Sequence, residues 1–302
     1  MPMRGLLPAL AVASIVCLPV VVAAQETQEE EAPKLLGRTT KEALFAEPFS
    51  EWSQSGYDEY EPDAGILRRL RELDLDGFRL TVFFGTWCGD SRREVPHLVR
   101  LADALGLEDG QLELVAVDRG GEMHKRSPGG EDEGLGIYRV PTVIVRRQGR
   151  EVARLVEYPA RSLERDLLAI FSGDDYEPSY ASYPTIRSWV DDGLLADGNV
   201  NEWGLADDLR HVVRSEGELA AAANVLLEHG NAREAVKLNQ VNCVLFRESP
   251  SAWGRLAKAW SRAGEPAEAR DAAERALRLD PDPESIAELL ELIDPREEQA
   301  ED

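Results

Sequence analysis

One change of hydrophobic period constrains this chain more than any other feature. Residues 78–84, "FRLTVFF", form an apolar run rich in β-forming residues, whereas "GDSRREVPHLVRLADALG" (89–106) sets Val95, Leu98, Val99, Ala102 and Leu105 on one helical face. Only Gly85, Thr86, Trp87 and Cys88 separate the two patterns. A strand this apolar has to be covered on both faces, so the spacing predicts a strand, a cysteine at a turn, then a helix that packs back on the sheet. Pro96 marks an expected kink in that helix.

The neighbouring segments extend the pattern. "DAGILRRLREL" (63–73) has helical spacing, and "QLELVAVD" (111–118) reads as a second buried strand. A charged, Gly-rich stretch over 120–134, including the acidic "PGGEDEGLG", reads as an irregular loop. In "PTVIVRRQGREVARLVEYP" (141–159) two β-rich runs flank Gln148-Gly149, a hairpin turn, and "SLERDLLAIF" (162–171) supplies a last helix. The expected class is α/β over residues 43–172, a mixed sheet flanked by helices, followed by an all-α helical-repeat domain.

From Ser172 the composition turns to Tyr, Ser, Asp and Pro, so 173–215 reads as a linker with connecting helices. Beyond it a repeat with a period of 34 runs through 216–282: Leu219, Ala222, Ala223, Leu226, Gly230 and Ala235 recur as Trp253, Leu256, Ala257, Trp260, Gly264 and Ala269. These two copies resemble the tetratricopeptide repeat. Two copies leave apolar faces at their ends, so "ESIAELLELI" (284–293) is expected to cap the array, which then spans 216–293.

Residues 1–24 run apolar from Met-Pro-Met-Arg to Ala23-Ala24 and read as a secretory signal peptide cleaved near Gln25, which places the mature chain across the inner membrane, in the periplasm. The alternative is a retained N-terminal membrane anchor; Pro8 and Pro19 interrupt the run and favour cleavage. Cys17 follows bulky Val16, which argues against lipidation. An acidic flexible segment (25–42) and an acidic tail (294–302) frame the folded part. The formal charge of -23 makes nucleic acid and anionic membrane surfaces poor partners.

With the leader removed, Cys88 and Cys243 remain, so the chain is not a disulfide-stapled scaffold. A cysteine at a helix N-terminus faces unpaired N–H groups and the positive end of the helix dipole, which favour a thiolate. Cys88 is expected there, with Arg92 and Arg93 adding positive charge and Asp90 and Glu94 opposing it. Cys243, between Asn242 and Val244 on a repeat helix, reads as an ordinary helix cysteine. His97, His124, His211 and His229 make no metal-ligand spacing with either cysteine; no metal and no cofactor is assigned. Trp52, Tyr57 and Tyr60 read as packing residues rather than the border of a groove, and His97 as a surface residue.

"FFGTWCGDS", "VAVD" and "GIYRVPTVIVRRQGR", in that order, resemble a thioredoxin-fold protein, and "GTWCGDSRREVP" with "VEYP" is similar to exported bacterial thioredoxin-like proteins that carry a Cys-Gly-Asp-Ser motif. The resemblance covers about residues 43–172. It implies that Trp87-Cys88 form the active-site turn and that Val140-Pro141-Thr142 are the cis-proline segment, with Val140 the backbone position that pairs with a peptide. It also puts Asp118 and Arg119 near the cysteine, either as a polar pair or as the start of a loop. Two departures matter: Ser91 occupies the position of the resolving cysteine, and Val82 that of the family's buried acid. Dithiol turnover within the motif is therefore excluded.

Three mechanisms stay open. Cys88 exchanges with protein thiols or disulfides and an external thiol reductant resolves the intermediate, with Ser91 bonding the thiolate; or Cys243 acts as the second thiol; or Cys88 is a vestige and the protein binds without reacting. In the leading reading the chain performs monothiol exchange and the repeats dock the protein partner. In its rival it is a non-enzymatic binding or assembly factor.

Overall fold

The computed structural model describes residues 33–108 and 110–281. The expected signal peptide, Cys17, residues 25–32 of the acidic segment, the capping helix at 284–293 and the acidic tail lie outside the described residues.

In chain order the elements are β1 (Gly37–Thr39), α1 (Lys41–Leu44), α2 (Ser50–Glu59), α3 (Ala64–Arg71), β2 (Phe78–Phe84), α4 (Gly89–Leu105), β3 (Leu112–Ala116), β4 (Thr142–Arg147), β5 (Arg150–Val156) and α5 (Leu163–Ser172). Helices α6 (Tyr183–Asp191), α7 (Glu202–Leu209), α8 (Glu216–Glu228), α9 (Ala232–Leu245), α10 (Pro250–Arg262) and α11 (Pro266–Leu279) follow. The strands form one mixed sheet in the order β1-β3-β2-β4-β5, in which β2 and β3 are parallel and the remaining pairs antiparallel.

The central strand is β2, as its composition demands: every residue but Arg79 is buried. Alternation divides its side chains between two cores. Phe78, Leu80, Val82 and Phe84 pack with Val95, Leu98 and Val99 of α4 and Leu167 and Phe171 of α5. Phe83 points the other way, into a small cluster with Val115, Val117, Ile137, Val140 and Ile144, against which Trp87 and Cys88 rest. The Cys88 turn is thus built on the second core, a few residues from the end of the best-buried strand. At about 1.5–3 kcal/mol per fully buried large side chain, this strand contributes strongly to fixing the turn.

Helix α4 continues through Pro96. The expected kink site is where α2 crosses: a Cβ built on Gly56 would lie 3.1 Å from the Pro96 ring, so glycine permits the contact. Trp52, Tyr57 and Tyr60 pack against the main core, with Arg92 over the Trp52 ring and His97 stacked on Tyr60 at 4.5 Å. Gln148 and Gly149, both at positive φ, close the β4–β5 hairpin as its turn chemistry requires.

Two sequence expectations are corrected. The segment 25–42 is not flexible throughout, because Gly37–Thr39 pair with Leu114–Ala116 of β3, while Arg38 reaches Glu113 and Glu131. Three residues are too few to show a period. Residues 173–215 hold two connecting helices, α6 and α7, but the part read as linker is packed against the rest. Tyr180, Tyr183, Ile186 and Trp189 are buried in one cluster with Tyr138 and Val156 of the α/β part and with α8 and α9. Tyrosine there buries its ring and keeps its hydroxyl bonded, which composition alone reads as solvated.

The C-terminal region is a helical repeat. Helices α8 and α10 begin 34 residues apart, as do α9 and α11, and Gly230 and Gly264 turn the chain at φ 82° and 80° between the members of each pair. Ala222, Ala223, Ala257 and Ala273 are buried where the helices approach.

Candidate functional site

Cys88 is the N-cap residue of α4, in extended backbone conformation, and is half-buried. Gly85 follows the last residue of β2, and its missing side chain leaves space for the Trp87 indole: a Cβ there would stand 2.4 Å from the ring. The indole Nε1–H donates to the Val117 carbonyl at 3.0 Å, which locks the turn onto the end of β3. The Cys88 thiol donates to the Val140 carbonyl, Sγ···O 3.2 Å, and the Val140–Pro141 peptide is cis. Sequence-distant Cys88 and Val140 are therefore in contact.

The other candidates occupy supporting places. Ser91 is fully buried and its Oγ accepts from the Gly85 N–H at 3.2 Å, so that oxygen braces the turn. Among the described residues no hydrogen bond joins Ser91 to Cys88. The Thr142 hydroxyl donates to the Arg139 carbonyl at 2.7 Å, closing the loop around Pro141, whose own carbonyl accepts from the Glu157 N–H at 2.7 Å. Cys243 lies elsewhere, buried with Val236, Leu256 and Ala257 among the repeat helices. Burial pushes its thiol up to about 12, an inert state for a resolving thiol. Neither cysteine is in a disulfide.

The expected cations are spent elsewhere. Arg92 Nε donates to the Thr86 carbonyl at 2.6 Å, and Arg93 binds Asp90 at 2.8 Å and Glu94 at 2.7 Å. The Asp118 carboxylate accepts from Lys34 at 2.8 Å and from the Arg119 backbone N–H at 2.6 Å, while the Arg119 side chain is exposed and forms no ion pair with it.

Residues of later segments border the site as well, and no local spacing ties them to the cysteine. The β3–β4 connection folds back, with the Lys125 N–H donating to the Asp118 carbonyl and the Asp118 N–H to the Arg126 carbonyl, both at 2.9 Å. This brings the His124 ring to 6.4 Å from Trp87, centroid to centroid. His124 Nδ1–H donates to the Arg119 carbonyl, which leaves Nε2 to accept from Lys125 Nζ at 2.9 Å. Burial first, then Arg139, lower the Lys125 ammonium to about 8 against the opposing pull of Cys88 and Glu157. Burial likewise holds His124 below the usual histidine value.

Arg139, directly before Val140, joins the loop to the helices. Its guanidinium donates to Glu157 at 2.7 Å, to the Tyr183 hydroxyl at 2.8 Å and to the Gly217 carbonyl of α8 at 2.8 Å. Burial alone would push this guanidinium down, but Tyr183, Glu157 and Tyr180 raise it above its usual value. His229, the C-cap of α8, donates Nε2–H to the His124 carbonyl at 2.8 Å. A cavity of about 200 Å³ opens between these parts, lined among others by Lys125, Arg126, Tyr138, Arg187 and His229. Only the run "MHKR" (123–126) hinted at this cluster, and nothing local ties it to the cysteine.

Among the described residues no group of three or more His, Cys, Asp or Glu side chains is arranged to hold a metal ion, and no helix is long and apolar enough to cross a membrane. A tetratricopeptide repeat model matches residues 250–283, which contain α10 and α11. A search of curated proteins finds no match. The chain therefore carries a tetratricopeptide repeat, a unit that generally docks other proteins, beside a mixed α/β sheet.

Proposed function

We propose that the chain is an exported thioredoxin-fold protein that performs monothiol thiol–disulfide exchange on protein partners through Cys88, with the helical repeats docking the partner. The observation that carries the reading is the contact of the Cys88 Sγ with the Val140 backbone, beside Pro141, at the N-terminus of α4. The strand order and the succession β2-α4-β3 then β4-β5-α5 support the fold. Export to the periplasm rests on the apolar leader sequence at residues 1–24.

The exchange balances without a second protein thiol. Cys88 loses its proton to solvent, and the thiolate attacks one sulfur of a substrate disulfide R–S–S–R′. The Cys88–S–S–R bond forms, the old bond breaks, and R′–S⁻ leaves with the electron pair and takes a proton. An external thiolate R″–S⁻ then attacks the R sulfur, forming R–S–S–R″ and returning Cys88 as thiolate. Cys88 stands at the N-terminus of α4, the positive end of the helix dipole.

A specific observation favours the rival reading as well. Ser91 supports the turn through Gly85, so the motif holds together as a packed structure without any second thiol. The test is the reduction of a disulfide-bonded peptide by an external thiol in the presence of the chain. Acceleration that Cys88→Ser abolishes supports exchange. No acceleration, with partner capture unaltered in Cys88→Ala, supports a binding factor.

A further inference from the structure

We propose that Lys125 is the charge partner of the Cys88 sulfur: its ammonium, held by the His124 imidazole beside Trp87, stabilises the thiolate that attacks a disulfide. The inference rests on the exchange reading and names the cation that the site uses.

The argument begins with charge. A thiolate forms where a nearby positive charge is not already neutralised. Arg92 lies along the Thr86 carbonyl and over Trp52, and Arg93 is paired with two carboxylates. Arg139 is bound to Glu157. Lys125 differs: its ammonium donates to a neutral imidazole nitrogen, and among the described residues no carboxylate lies within ion-pair distance of it. Its charge is therefore left to act on its surroundings.

The backbone shows that this placement is imposed. Lys125 has φ 57°, in the left-handed region that a lysine rarely adopts, and its N–H is fixed on the Asp118 carbonyl at 2.9 Å. The side chain carries the charge under cover instead of extending to solvent, as an exposed lysine does. His124 is fixed in turn from three sides, by the Arg119 carbonyl, the Trp87 ring and His229 on its carbonyl. Cys88 at the head of α4, Arg139 before Pro141 and Glu157 after β5 act on the Lys125 charge, His124 bonds it, and Arg126, Asp132, Glu133, Arg187, Asp191 and His229 line the cavity beside it. Arg139 and Glu157 are paired with each other and largely offset. Asp132 is taken by the Ser127 N–H at 2.6 Å, and Glu133 and Asp191 are exposed, so Cys88, next to the Trp87 ring against which His124 lies, is the acidic group at the reactive turn on which the lysine charge acts.

The test is the rate of Cys88 alkylation by iodoacetamide against pH, read by mass spectrometry of the Cys88 peptide, in the wild type, Lys125→Met and Lys125→Arg. Methionine keeps the stem and removes the charge; arginine keeps the charge. Loss of the cation is expected to slow alkylation near neutral pH roughly three- to tenfold and move the profile to higher pH, with Lys125→Arg close to wild type. Identical profiles in the wild type and Lys125→Met overturn the proposal. Coupling is reciprocal, so a second readout covers a variant that fails to fold: the Lys125 amine, followed by NMR, titrates lower in Cys88→Ala than in the wild type. An unchanged titration overturns the proposal even where exchange activity is intact. A wild-type Cys88 that resists alkylation at every pH overturns the exchange reading first, and this one with it.

Discussion

His229, at the end of the first helical pair, donates its Nε2–H to the backbone carbonyl of His124 at 2.8 Å, and the His124 ring lies against Trp87 beside Cys88. The repeat domain therefore touches the loop that borders the cysteine. Arg139, the residue before Val140, adds a second hydrogen bond across this junction by reaching the Gly217 carbonyl of α8.

Removing these contacts should loosen the site from the helical side. His229→Ala is expected to cost about 1 kcal/mol, and Arg139→Met roughly 2–4 kcal/mol, because Glu157 then keeps a half-buried charge without its partner. Hydrogen exchange checks both: residues 119–126 lose protection in the first variant and residues 139–142 in the second. Unchanged protection there would show that the junction is incidental.

Gly85 is required for the space that the Trp87 ring occupies. Gly85→Ala places a methyl 2.4 Å from the indole, so the ring has to move and its bond to the Val117 carbonyl breaks. The expected loss is about 1–3 kcal/mol of stability, together with a changed near-UV signal from the indole. A variant with wild-type stability and an unchanged signal contradicts this packing.

Lys125 gives the fold a pH dependence of known sign. Its folded value is depressed from 10.5 to about 8, so between these limits the unfolded chain holds a proton that the folded chain has released. Stability contributed by this group therefore rises with pH across that window, and the full cost applies below it. Lys125→Met should melt at a higher temperature than the wild type at pH 7, by a margin that shrinks as pH rises past about 10; the upper bound is on the order of 3 kcal/mol. A lower melting temperature at pH 7 would show that the ammonium is stabilising where it stands.

Cys243 should stay silent toward thiol reagents. Burial holds it at about 12 among Val236, Leu256 and Ala257. In the native protein one thiol is expected to react quickly with a chromogenic disulfide, and the second only on unfolding. Two fast thiols would reopen a resolving role for Cys243.

The parts of this molecule that were legible in the sequence are those carried by local period. The strand at 78–84 and the helix after Cys88 announce themselves because one buries both faces and the other a single stripe. The 34-residue repeat is equally plain, since α8 and α9 reappear as α10 and α11 at that offset. β1 was hidden because three edge residues carry no pattern. The tyrosines after Ser172 do not announce their burial, because a buried hydroxyl-bearing ring has the composition of a linker. His124 comes to Trp87, and Lys125 to His124, only through closure of the 118–126 loop, a long-range event that no local spacing encodes.

The most direct measurement for the exchange reading is trapping on the chain expressed from Gln25 onward. The protein is incubated with a disulfide-bonded peptide, quenched in acid and mapped by mass spectrometry, with Cys88→Ser in parallel. A peptide adduct on Cys88 that reductant removes, and that the variant lacks, is the predicted result. No adduct on Cys88 under conditions in which a small thiol exchanges freely with the peptide would contradict the reading and leave the repeats as the working part of the protein.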